Sequence, residues 1–135
     1  MMTQNEFIEK VMSVPWVNRG DTFDGVDCYG IYKLYAEHVL GKQMPELTGY
    51  KENAPFNSLH SQNIEKHWRQ VGKWQDGAMV TFYNLQNKPV HIGICVGELQ
   101  VLHARGNVDQ VGKGEVNKLH ALDRMYHKKT FHGLI

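Results

Sequence analysis

The sequence predicts an α+β fold in which N-terminal helices pack on an antiparallel β-sheet. Three observations carry the prediction. In the first half, apolar residues recur at helical spacing, as Ile31, Leu34, Tyr35 and Val39 do. After Gly72 the pattern changes to short apolar runs at residues 78–83, 90–96 and 99–104. Gly97-Glu98 separates the last two runs as a tight hairpin would. Helices first and strands later describe an α+β domain.

Each element has its own signal. Thr3 followed by Glu6 has the form of a capping box, and Phe7, Ile8, Val11 and Met12 give a first helix its apolar stripe over residues 3–13. Pro15 ends it. Residues 16–27 contain Gly20 and Gly25 and read as a loop. A second helix starts at Cys28 and stops at Gly41, a residue suited to a C-terminal cap. Residues 42–57 hold Pro45, Gly49 and Pro55 and read as irregular. A further helix is expected over residues 58–72, with Leu59, Ile64, Trp68 and Val71 apolar. Residues 108–111 form a candidate short strand, and residues 124–135 another.

The bulk numbers exclude several classes. A length of 135 residues implies one domain over residues 1–135, large enough for a core without disulfides or metals. A net charge of +1, with no long single-sign run, leaves no nucleic-acid footprint. No apolar stretch approaches the ~18 residues needed to span a bilayer, so membrane insertion is not expected. The two cysteines, Cys28 and Cys95, lie in unlike contexts, which fits thiols kept apart in a reducing compartment. The N-terminus has no cationic segment followed by an apolar core, so a Sec signal is not expected and the chain should fold in a cytoplasm. His60 and His67 lack a cysteine or carboxylate at ligand spacing, so neither a metal nor a cofactor is expected.

The chemistry points to Cys28. It follows Gly25-Val26-Asp27 and begins a helix, where free N–H groups and the helix dipole lower a thiol pKa; a neighbouring imidazole lowers it further. Strand alternation puts His91, Gly93, Cys95 and Gly97 on one face. Those glycines leave room for another element, and the Cys28 helix is the candidate, with Gly30 removing a side chain near the sulfur. His91 and His103 lie equidistant from the hairpin turn, so they should face each other across the ladder. One imidazole would take the thiol proton while the other orients it. The Cys28 N–H and a donor from the 16–27 loop would form an oxyanion hole, each such donor contributing roughly 3–4 kcal/mol. Cys95 reads as a buried structural thiol. Asp27 reads equally as a helix cap and as a substrate contact. Trp68 and Trp74 read as core or groove-wall residues.

Taken in order, Pro15-Trp16, Gly20, Gly25-Val26-Asp27-Cys28-Tyr29-Gly30, Asp76-Gly77-Ala78-Met79-Val80, His91-Ile92-Gly93-Ile94-Cys95-Val96-Gly97 and Leu102-His103-Ala104 resemble the NlpC/P60 cysteine peptidases. The match is closest to the short forms found in phage tail assembly or tail-tip proteins. The resemblance implies a papain-like α+β fold and cleavage of peptide bonds in peptidoglycan stem peptides. It implies Cys28 as nucleophile, His91 as general base and acid, and His103 as the orienting residue. Asp27, Trp16 and Tyr29 become candidate substrate-binding residues. Tyr29 and Trp16 stand where the family often has Ser and Tyr. The implied partners are stem peptides and other phage tail proteins, and the implied location is the host cytoplasm and then the virion tail. Two other readings stand beside the peptidase. One is a tail assembly protein that keeps the fold with little or no catalysis. The other is a thiol acyltransferase or amidase, disfavoured for lipid substrates by the lack of an extended apolar segment.

Overall fold

The computed structural model describes residues 1–61, 65–106 and 112–134. The capping box forms as the local sequence requires. The Glu6 N–H donates to Thr3 Oγ1 at 3.1 Å, the Thr3 N–H donates to Glu6 Oε1 at 2.9 Å, and α1 (Gln4–Val11) follows. The loop expected over residues 16–27 contains a minimal hairpin, β1 (Asp21–Thr22) against β2 (Gly25–Val26). Next comes α2 (Cys28–Tyr35), which continues as a π-helical turn over Ala36–Leu40. Gly41 caps that turn in the left-handed region, with φ of 67°.

The described residues of the 58–72 stretch do not form the expected helix. They hold the end of a short α3 (Phe56–Leu59), a single turn α4 (Glu65–His67) and a strand, β3 (Trp68–Val71). Ile64 lies outside the described residues. The strand wins because its backbone pairs with β8 (Lys128–Leu134), and Trp68 packs edge-on against Tyr32 with centroids 4.9 Å apart. Tertiary partners thus override a helical spacing of only four residues.

The other strands are β4 (Met79–Tyr83), β5 (Pro89–Val96), β6 (Gln100–Arg105) and β7 (Lys113–Lys118), and α5 (Leu119–Asp123) precedes β8. They form one six-stranded antiparallel sheet in the order β3-β8-β4-β5-β6-β7. The strand expected near the C-terminus is β8. The polar β7 has no apolar alternation to mark it in the sequence, and the strand expected at 108–111 lies outside the described residues.

The sheet has two buried faces. Ile92, Ile94 and Val96 of β5 pack with Phe7, Val11, Ile31 and Tyr35 of the two long helices. Cys95 packs with Val80, Phe82 and Val101 against Leu119 and Leu122 of α5. Burying each such apolar side chain favours folding by about 1.5–3 kcal/mol. The helix that begins at Cys28 therefore covers the isoleucine face, not the glycine-bearing one. Gly30 serves a different neighbour, since a Cβ there would collide with the Gly20 carbonyl. That carbonyl also accepts from the Asp27 N–H at 3.0 Å, locking the entry to α2.

The β5–β6 register also departs from the sequence reading. Val96 pairs with Gln100, Cys95 with Val101 and Ile94 with Leu102. Continuing that ladder places Gly93, not His91, opposite His103. The connecting loop is Gly97-Glu98-Leu99, one residue longer than a two-residue turn, which moves every pair.

Candidate active site

Asp27 fixes the start of α2. Its Oδ1 accepts from the Gly30 N–H at 2.7 Å and from the Tyr50 hydroxyl at 2.6 Å, and its Oδ2 accepts from the Arg19 N–H at 3.1 Å. The cap reading of Asp27 is thus observed, and the same side chain also borders a cavity of about 220 Å³. Burial raises the Asp27 pKa above the usual carboxylate value despite these donors.

Cys28, the first residue of α2, lines that cavity and keeps partial solvent access. His91, at the start of β5, lines it too. Both residues border the same cavity, on the side where the N-terminus of α2 comes against β5. The backbone amides of Ile92 and Tyr29 act on the sulfur and favour its thiolate.

The imidazoles form a relay. His91 Nε2 and His103 Nδ1 are 2.8 Å apart, and His103 Nε2 is 2.6 Å from Asn117 Oδ1. Glu115 Oε1 lies 3.8 Å from the same His103 nitrogen. The hydrogen positions follow from valence. The amide oxygen of Asn117 only accepts, so His103 Nε2 carries the proton and Nδ1 the lone pair. His91 Nε2–H then donates to His103, which leaves His91 Nδ1 as the basic nitrogen. Phe82 and Tyr126 stack against the His91 ring, each with centroids 6.0 Å away, and hold its plane. Gly93 leaves the space that lets His103 reach diagonally, since a Cβ there would stand 3.3 Å from His103 Cβ and overlap Val101 Cγ1.

The electrostatics correct one expectation. Burial pushes the Cys28 thiol up to about 12, and the Asp27 carboxylate adds to the effect. The amides of Ile92 and Tyr29 and the charge of Arg19 oppose it without prevailing. Burial, then His103 and Arg105, hold His91 well below the usual imidazole value. Burial also lowers His103, against the opposing pull of Asn117 and Glu115. The resting pair is therefore a neutral thiol beside a neutral imidazole, because desolvation outweighs the helix N-terminus.

The remaining candidates separate. Trp16 lines the cavity. Tyr29 does not. It is buried, its hydroxyl donates to the Pro45 carbonyl at 2.7 Å, and it borders a different cleft. Cys95 is fully buried on the α5 face, as expected of a structural thiol. Several N–H groups of the 16–27 loop are already committed. Trp16 donates to Gly112, Val17 to Val26, Gly20 to Val17 and Arg19 to Asp27. That loop's backbone is thus a poorer source of oxyanion donors than its sequence suggests. Sequence reasoning missed Asn117, Tyr126 and Arg105, which stand in polar or irregular stretches with no motif of their own. Among the described residues, no group of three or more His, Cys, Asp or Glu side chains is placed to hold a metal ion, and no helix is long and apolar enough to cross a membrane.

The sequence matches the model of the NlpC/P60 family over residues 13–133. No curated protein matches it. The NlpC/p60 domain of the peptidoglycan hydrolase SagA superposes with a TM-score of 0.60 at 18% identity, over 97% of this chain and 95% of that one. NlpC1 from Trichomonas vaginalis gives 0.62 at 18% identity, over 93% of this chain and 41% of that one. An NlpC/P60 family protein from Bacillus cereus ATCC 10987 gives 0.56 at 19% identity, over 83% of this chain and 32% of that one. The chain thus spans less than half the length of the last two.

Proposed function

The chain belongs to the NlpC/P60 family, and on that premise we propose that it is a cysteine endopeptidase hydrolysing peptide bonds in peptidoglycan stem peptides. The observation that carries the reading is one cavity bordered by Cys28 and His91, with His91 tied through His103 to Asn117.

The mechanism follows from the tautomers. His91 Nδ1 takes the Cys28 proton as the sulfur attacks the scissile carbonyl. With a thiol near 12 and a depressed imidazole, transfer accompanies attack rather than preceding it. His103, held by Asn117, steadies the imidazolium that forms. The N–H at the start of α2 faces the developing oxyanion. His91 then protonates the leaving amine, and a thioester remains on Cys28. Water, deprotonated by His91, hydrolyses it and frees the thiol. Asp27 and Trp16 shape the cavity wall.

The motif set resembles tail-associated members of the family, so the proposed setting is a phage tail, with synthesis in the host cytoplasm. Incubating the protein with muropeptides and analysing the products by mass spectrometry tests the activity. Cleaved stems are expected from the native chain and none from Cys28→Ala. Intact stems with both, or equal cleavage by both, reject the peptidase. A tail assembly protein with the same fold is the second reading, and the neutral resting thiol favours it. It requires that phage carrying Cys28→Ala still assemble infectious tails.

A further inference from the structure

Resting on the peptidase reading, we infer that Arg105 recognises a carboxylate on the substrate beside the bond Cys28 attacks. Arg105 is the last residue of β6, two positions after His103, and lines the same cavity as Cys28 and His91. It is half-buried, and its partners among the described residues are uncharged: Met125 Sδ at 2.9 Å, and Tyr126, whose hydroxyl its charge influences. Among the described residues, no carboxylate forms an ion pair with it.

The other charged groups of the cavity are occupied. Arg19 Nη2 donates to the Ala54 carbonyl at 2.6 Å, its Nε reaches Asn53 Oδ1 at 3.4 Å, and its guanidinium stacks 5.3 Å above Tyr50. Arg19 thus braces the 50–54 loop. Asp27 is satisfied by Gly30, Tyr50 and Arg19. Among the described residues the cavity therefore holds one braced cation, one capped anion and, in Arg105, a guanidinium that no carboxylate pairs.

A guanidinium carries five N–H donors in a planar fork that fits a carboxylate with two parallel bonds. Met125 and Tyr126 engage only part of that fork. A partly desolvated cation without a counter-charge is unfavourable, and a bound carboxylate relieves it. The same charge disfavours the imidazolium forms of His91 and His103. A carboxylate placed on Arg105 would cancel that field and make His91 a better base only when substrate is present.

The test uses two synthetic stem tripeptides that differ at one group, a free carboxylate or its carboxamide on the residue flanking the scissile bond. KM and kcat are measured for the native chain, Arg105→Gln, Arg105→Lys and Arg124→Gln. Arg124 is an exposed cation on the adjoining groove and controls for general charge. The native chain should prefer the acid by about 10–100-fold in kcat/KM, the range of a charge-assisted bond. Arg105→Gln should erase the preference, raising KM on the acid peptide and kcat on the carboxamide, Arg105→Lys should keep part of it, and Arg124→Gln should keep all of it. A preference that survives Arg105→Gln, or that Arg124→Gln removes equally, overturns the inference. Should the native chain cleave neither tripeptide, the peptidase reading falls, and calorimetry with the same two peptides decides the inference separately. Tighter binding of the acid that Arg105→Gln abolishes supports it, and equal binding overturns it.

Discussion

His91 Nε2 lies 2.8 Å from His103 Nδ1 although the two residues are diagonal, not opposed, across β5 and β6. The contact exists because Gly93 stands opposite His103 and offers no side chain to block the ring. An imidazole pair in a buried strand layer has a defined proton order only if something at its far end sets it. Asn117 does so through its 2.6 Å contact with His103 Nε2.

Asn117→Ala removes the acceptor that specifies the relay. It should lower kcat/KM on muropeptides by roughly 10–100-fold, a fraction of the full contribution of a general base. Asn117→Asp keeps an acceptor and should remain within a few-fold of the native rate. Its added negative charge should move the acid limb of the pH profile upward. Native activity in Asn117→Ala would remove this residue from the relay.

Gly93→Ala should cost about 1–3 kcal/mol of folding stability, because its methyl group meets Val101 and His103 in a packed layer. Gly133→Ala on β8 meets no atom within 4 Å and serves as the strand control. Urea unfolding of both variants measures the difference, and equal stabilities would contradict the packing argument.

The Cys28 thiol, pushed up to about 12, should alkylate slowly with iodoacetamide at neutral pH. Its rate should rise about tenfold per pH unit between pH 7 and 10, following the thiolate fraction. Asp27→Asn keeps a capping oxygen and removes the charge that raises the thiol, so it should alkylate faster at any one pH. A rate already flat from about pH 5 would mean a resting ion pair and would contradict a neutral resting thiol.

A buried polar cluster away from the cavity sets an acid limit on stability. His60 Nε2 contacts Thr81 Oγ1 at 3.1 Å, and His132 Nε2 contacts Thr130 Oγ1 at 2.8 Å. Burial lowers both imidazoles, His60 to about 4, with the neighbouring His132 adding to the shift in His60. A folded-state pKa below the unfolded value means the unfolded chain binds protons first. Stability is complete above about pH 6.5, falls as pH drops below that, and stops falling near 4. The loss from His60 is on the order of 3 kcal/mol. Thermal unfolding between pH 7 and 4 should show it, and His60→Gln should flatten the curve.

The local elements were readable in the chain because their causes lie within a few residues. The Thr3–Glu6 box, the Gly41 cap and the apolar stripe of α2 act through hydrogen bonds and side-chain spacing that the sequence carries directly. The same holds for β4, β5 and β6, and for the placement of Cys28 at a helix start with His91 and His103 flanking one hairpin. What the tertiary structure alone decided depends on partners far along the chain. Trp68 to Val71 became a strand because β8 pairs with it. The pairing register moved because a three-residue loop joins β5 to β6. Asn117 and Arg105 joined the site from β7 and the end of β6, and Tyr29 left it for the Pro45 carbonyl. The charge state of Cys28 belongs to this second class. A helix start favours the thiolate locally, but enclosure by the cavity walls and the nearby Asp27 carboxylate outweigh it, and enclosure exists only once the chain has folded.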